Sequence, residues 1–305
     1  MDAARLPMTA LGVALVVFSA LAHTAWNLRA KQAVPTAAFF LAANTLGALL
    51  LLPVLVATGA IRVLPTRESA PFLLASVGFE ALYYASLARA YRAGELSAAY
   101  PVAKGLPVLL VGLVSWLYAG SVVRLGFYLP GLIAISLGIF LVSFRAPGGS
   151  TGVPRRLPWM WLTFAGIGTT GYTLCDAAAI GKLPRGGEIP AVFLALDYLF
   201  LVAILTSLLL CIPWVAGRLG RVPVKAESWG WKDALFVGAG MQGAYGLVLM
   251  AMLFLPNPAV VLALRQLSLP MTLVASARLL KERVRPPKWA AIGCIMAGVV
   301  AVKWA

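Results

Sequence analysis

Acid is what this sequence has least of. Ten Asp and Glu stand among 305 residues, with one histidine and three cysteines. So few ligating side chains, scattered along the chain, leave no metal-ligand cluster and no nucleophile–base pairing. Cys175, Cys211 and Cys294 lie within apolar segments at no disulfide or metal spacing, as small packing residues do. Charge of either sign is scarce, at 11% of residues, against roughly 25% in a soluble domain. A phosphate-binding loop is missing too, which removes support for direct ATP coupling. Long polar intervals are absent, so no loop could hold a soluble domain.

Apolar sequence fills the space. Hydrophobic residues make up 61% of the chain and the mean hydropathy is +0.91. This composition is that of a polytopic membrane protein. The net charge of +15 does not signal nucleic acid here, because the cations sit mostly in short loops between apolar runs, where they set orientation. Ten stretches have spanning length, at 8–30, 36–58, 70–92, 96–119, 125–144, 158–181, 190–216, 231–255, 258–281 and 287–304. The longest connection is rich in Gly, Pro and Arg and divides the chain into units 1–145 and 158–305, with a loop over 146–157. Ala20-Leu21-Ala22 resembles a signal-peptidase site. The apolar run continues to about Ala30, and cleavage would spoil a five-plus-five division, so the first span is expected to be retained.

The two units repeat. Sliding the chain by 161 positions puts Arg265 on Lys104, Leu267 on Leu106 and Leu280 on Ala119; after a one-residue adjustment Gly298 falls on Gly138. Each copy places one cation inside an apolar helix, about 12 Å from its start at 1.5 Å per residue. Five helices per unit is an odd number, so the second unit enters the membrane inverted. Such repeats are the architecture of many secondary transporters, with the substrate site near the midplane between them. The odd-numbered loops carry 16 Lys and Arg, against seven on the opposite side with both termini. The positive-inside rule then puts the termini outside.

The pattern resembles the EamA-like family of the drug/metabolite transporter superfamily. The likeness rests on Leu82-Tyr83-Tyr84-Ala85-Ser86-Leu87-Ala88-Arg89-Ala90-Tyr91, on the run from Ala98-Ala99-Tyr100-Pro101 through Lys104-Gly105-Leu106-Pro107, and on Arg265-Gln266-Leu267-Ser268 with Leu280-Lys281-Glu282-Arg283. It implies an all-α membrane fold of ten helices, two inverted five-helix repeats around a central cavity, working by alternating access on a small-molecule substrate without a cofactor. Relatives are similar to exporters of amino acids and other small metabolites, and others carry nucleotide sugars or phosphorylated sugars. It also implies cytoplasmic termini, against the charge count. The chain departs from the family pattern after its fourth span, where Gly120-Ser121 stands in place of Lys281-Glu282. His23-Thr24-Ala25-Trp26-Asn27 is similar to an opening found in a subset near phosphonate-use genes.

Ionisable groups at bilayer depth cost several kcal/mol and usually face a cavity or a partner. Glu80, Lys104, Asp176, Asp197 and Arg265 are the candidates. Lys104 and Arg265 would hold an anionic group; Glu80 or Asp176 would bind a cationic group or a proton. The bland reading is a buried Glu80–Lys104 pair that fixes helix packing. Asp176 shares a helix face with Tyr172, and His23 with Asn27; a lone histidine is as easily a packing residue. Trp26, Tyr83, Tyr84, Tyr100, Tyr172 and Tyr245 could line a cavity or face lipid, and Gln242 and Gln266 could donate into it or across helices. Trp159, Trp161, Trp229, Trp231, Trp289 and Trp304 sit at span ends, as interfacial anchors do. Pro101, Gly105 and Pro107 around Lys104, and Pro270 near Arg265, weaken the helix ladder where a substrate would bind. Bending of the fourth and ninth spans is the expected gate. The function expected is secondary transport of a zwitterionic or anionic metabolite, such as an amino acid or a phosphonate, in a bacterial-type inner membrane, with protons as the candidate coupling ion. Efflux of organic cations is one alternative, and a membrane enzyme or lipid-modifying protein the other.

Overall fold

Apolar stretches of about twenty residues close their backbone hydrogen bonds best as helices when no water is at hand, and helices are what the chain forms. The computed structural model describes residues 10–32, 37–93, 96–119, 125–143, 159–215, 230–255, 257–279 and 286–304. They form α1 (Ala10–Gln32), α2 (Ala37–Leu49), α3 (Leu52–Thr58), α4 (Ala70–Ala93), α5 (Leu96–Ala119), α6 (Leu125–Ser143), α7 (Trp159–Gly181), α8 (Ala191–Val215), α9 (Trp231–Met252), α10 (Pro258–Arg265), α11 (Ser268–Leu279) and α12 (Pro286–Trp304), with a 3₁₀ turn at Ala60–Arg62. No strand occurs among the described residues. Ala10–Ala30, Ala38–Thr58, Ala191–Cys211, Trp231–Met252 and Pro258–Ala275 are long and apolar enough to cross a bilayer, and Gly105–Leu117, Gly126–Leu141 and Pro286–Val302 are shorter apolar helices. The loop at 146–157 and the Lys281-Glu282-Arg283 run lie outside the described residues.

Two stretches expected as single helices are interrupted, each at a proline. Pro270 offers no N–H to the Gln266 carbonyl, and its ring crowds that carbonyl. The Leu269 amide bonds Gln266 O instead at 3.0 Å, while the Gln266 and Leu267 amides fall back to Ala263 O and Leu264 O at 3.1 and 3.0 Å. The helix tightens and restarts, so the expected helix over 258–281 is α10 followed by α11, broken directly after Arg265. Pro53 has the same effect between α2 and α3, where the Leu51 amide turns to Ala48 O at 2.9 Å. By contrast α5 is helical throughout, Pro101 and Pro107 included. The structure therefore interrupts only one of the two spans expected to bend.

The bundle exposes large apolar side chains and holds several polar ones within its apolar core. Phe18, Val56, Leu74, Leu117 and Leu208 are exposed, while Asn44, Asp176, Asp197 and Gln242 are buried. Where helices meet closely, small residues let backbones touch. α6 packs on α12, α4 on α7, and both α1 and α2 on α9. A Cβ at Gly131 would lie 2.9 Å from Gly298 O, and one at Gly138 would lie 2.7 Å from Ala291 O. The register of these two contacts makes α6 and α12 antiparallel. An ion pair, Arg29 to Asp233 at 2.5 Å, ties the end of α1 to the start of α9 at an exposed position.

Candidate functional site

A carboxylate in an apolar bundle must recover the hydration that it gave up, and Asp176 on α7 does so with hydroxyls from three other helices. Ser76 Oγ of α4 donates to its Oδ1 at 2.5 Å and Tyr198 OH of α8 at 2.7 Å. Tyr245 OH of α9 donates to Oδ2. Hydrogen bonds to a charged acceptor are worth about 1.5–3 kcal/mol each, which is what makes full burial of Asp176 tolerable. Three donors fill most of the roughly four acceptor positions that a carboxylate has.

Tyr245 links this knot to the cation. The Arg265 guanidinium carbon lies 5.2 Å from the centre of the Tyr245 ring, in cation–π range. Arg265 is the last residue of α10, where a positive charge is favoured by the helix dipole. Neither an ion pair nor a hydrogen bond joins its side chain to another described residue. Arg265 and Tyr245 line a small pocket together with Thr173, Val248, Met252, Val261 and Leu262. In this conformation its free space is little more than that of one water molecule.

Tyrosines continue from there towards the second acid. Tyr172 meets Tyr245 edge-on with centroids 6.1 Å apart, Tyr83 meets Tyr172 at 6.0 Å, and Tyr84 lies beside Tyr83 at 5.1 Å. Tyr172 is within electrostatic reach of Arg265, Glu80 and Asp176 alike. Glu80 on α4 accepts one hydrogen bond at Oε2, from Thr206 of α8 at 2.8 Å. One acid is thus filled by donors and the other holds one.

The structure brings together Glu80, Tyr83, Tyr84, Tyr172, Asp176, Tyr245 and Arg265 of the residues expected at a site. Other candidates have their described contacts elsewhere. Trp26 packs against Gly240, where a Cβ would lie 2.6 Å from Trp26 Cβ, and joins a small apolar cluster with Ala30, Phe39 and Val237. His23 meets the Trp26 ring edge-on at 4.8 Å, and Asn27 Nδ2 donates to His23 O at 2.7 Å within the same helix. Gln242 is buried between helices: its Nε2 donates to Asn44 Oδ1 at 2.8 Å, and Asn44 Nδ2 donates to Ser207 Oγ at 3.0 Å. Gln266 Nε2 donates to Leu262 O at 3.1 Å, its own helix across the break. Pro107, Gly105 and Pro270 are buried, and Gly105 O accepts from Ser136 Oγ at 3.0 Å. The side chains of Tyr100, Pro101 and Lys104 lie outside the described residues, although α5 runs through all three. Asp197 is fully buried, with the Leu64 backbone amide close to its carboxylate and no side-chain donor on it among the described residues.

Sequence reading passed over Ser76, Tyr198 and Thr206. Ser76 lies one helical turn before Glu80 and shares its face, which was the available signal. Tyr198 stands next to Asp197, about 100° further round α8, and the acid drew attention away from it. Thr206 carries no sequence signal, since hydroxyls in apolar helices ordinarily bond their own backbone, as Thr170 does to Gly166 O.

No protein-family model and no curated protein matches the chain. It is similar in fold to a solved chain described as "Crystal structure of protein", with a TM-score of 0.69 and 15% sequence identity over 95% of this chain and 96% of that one. Identity at that level shows the fold alone.

Proposed function

We propose that the chain is a secondary transporter, an EamA-like member of the drug/metabolite transporter superfamily, which moves a zwitterionic or anionic metabolite across a bacterial-type inner membrane by alternating access. The observation that carries this reading is Arg265: a guanidinium within an apolar bundle, near Asp176 but in contact-distance ion pairing with no acid among the described residues, at the wall of a small pocket. A charge kept at that depth without a structural ion pair calls for a ligand. An anion bound there gains charge-assisted hydrogen bonds of about 1.5–3 kcal/mol each.

The packing supports ten spans in two inverted repeats. Under the exchange of halves, α1 on α9 answers to α7 on α4, α2 on α9 to α8 on α4, and α6 and α12 to each other. With the 160-residue offset of Gly138 and Gly298, the contact of Gly131 with Gly298 is the mate of that between Ala291 and Gly138. Equivalent helices that pack antiparallel require a two-fold axis perpendicular to them, hence in the membrane plane. The break after Arg265 supplies a flexible point at the substrate position, and the Arg29–Asp233 pair one clasp that a rocking motion would release.

The test is a metabolite-uptake screen on reconstituted protein, with and without a pH gradient. Arg265→Met and Lys104→Met are each expected to abolish or greatly weaken transport while the protein still folds. Wild-type transport rates in both variants would overturn the reading. Efflux of organic cations is a second reading, favoured by Glu80 beside a run of tyrosines; in the same screen it would show as cation flux insensitive to Arg265→Met and lost in Glu80→Gln.

A further inference from the structure

The knot around Asp176 has a consequence for Arg265 that goes beyond helix packing. Asp176 Oδ1 is held by Ser76 and Tyr198, from α4 and α8, so the carboxylate plane cannot turn. Its other oxygen takes the Tyr245 hydroxyl. The hydrogen bond at its OH fixes the axis of the Tyr245 ring, and Tyr172, edge-on at 6.1 Å, packs against the ring itself. Arg265 rests over that ring at 5.2 Å. A planar guanidinium held over an aromatic face can offer its N–H donors only in certain directions, and both residues line the same small pocket. No ion pair joins Asp176 to Arg265 directly.

We infer that Asp176 is a positioning residue of the Arg265 site: through Tyr245 it fixes the aromatic face on which the guanidinium rests, and so the direction in which Arg265 meets an anion. Asp176 then contributes orientation and leaves ligand contact to Arg265. The inference rests on the proposal that Arg265 holds the anionic group. Hydrogen bonds to both oxygens spread the tether over four helices, α4, α7, α8 and α9. A rearrangement of these helices would therefore move the Tyr245 face and change how Arg265 grips its ligand.

The experiment labels the full chain in detergent with phenylglyoxal, a dicarbonyl that condenses with guanidinium groups, and follows Arg265 by peptide mass spectrometry with exposed Arg29 as internal reference. Asp176→Asn and Tyr245→Phe should each speed labelling of Arg265 by about threefold or more, the change that loosening a cation–π contact allows. The double variant should be no faster than Tyr245→Phe alone, because without the hydroxyl the side chain at position 176 has nothing to hold. Ser76→Ala and Tyr198→Phe each leave one Oδ1 donor in place and should label Arg265 at the wild-type rate. Wild-type rates in both Asp176→Asn and Tyr245→Phe, or a double variant at the product of the single effects, would overturn the inference. Should Asp176→Asn fail to fold, Tyr245→Phe keeps the ring and its volume and decides the matter alone. Labelling needs no substrate, so a transport screen that goes against the proposed function leaves this result to be read on its own.

Discussion

Gly238 on α9 is where the packing makes its sharpest claim. A Cβ built there would lie 2.1 Å from Ala43 O and 2.9 Å from Gly47 N of α2. Ordinary contact begins near 3.4 Å, so Gly238→Ala must push α2 and α9 apart by about 1.3 Å, and both sides of the clash are backbone, which no rotamer change relieves. Overpacking costs about 1–3 kcal/mol, and this geometry belongs at the upper end. Alanine returns about 0.8–1 kcal/mol of helix propensity, leaving a net loss of about 2 kcal/mol. Gly243 on the same helix is the control, since it is exposed and nothing lies within 4 Å of a Cβ there. Gly243→Ala should gain up to about 1 kcal/mol by the same propensity. The assay is thermal unfolding of both variants in one detergent, followed by far-ultraviolet circular dichroism, where they should move in opposite directions about the wild type. Gly47→Ala, whose Cβ would lie 2.3 Å from Gly238 O, should track Gly238→Ala. If Gly238→Ala melts with or above Gly243→Ala, the close α2–α9 approach is wrong.

Three further outcomes are expected. Pro270→Ala supplies an amide for Gln266 O and should join α10 to α11, seen as slower hydrogen exchange at residues 266–269; unchanged exchange would mean that Pro270 does not cause the break. Asp197→Asn removes a buried charge while keeping an acceptor for the nearby Leu64 amide and should leave thermal stability equal or higher, whereas a loss above about 2 kcal/mol would show that the charge itself is stabilising. Asp233→Asn breaks an exposed ion pair and should cost about 0.2–1 kcal/mol at low salt, fading at 1 M NaCl as screening takes over; a loss independent of salt would contradict an electrostatic origin.

Membrane class and helical form were decided by the sequence on its own, because bilayer thickness and the lack of water demand about twenty apolar residues closed on themselves. Each of the ten stretches named from hydropathy forms helix over most of its described residues, two of them in two pieces. Those breaks were half legible. Pro270 and Pro101 read alike in the sequence, yet only the first interrupts its helix, since neighbours determine whether freed carbonyls find new donors. Most of the ionisable and aromatic residues that the structure gathers were legible as well, because depth in an apolar helix singles out Glu80, Asp176 and Arg265 without any contact information. Tertiary structure alone decided who meets whom. Asp176 is 100 residues from Ser76 and 69 from Tyr245, and no local pattern selects these hydroxyls over others as well buried, such as Thr170. Likewise Trp26 and Gln242 have the chemistry of site residues, but α1 and α2 close on α9 and make them seam contacts. Local sequence sets how deep a side chain lies and which helix face it shares; its partner is set by how the helices pack, through small residues such as Gly238 and Gly298 that admit a neighbour's backbone.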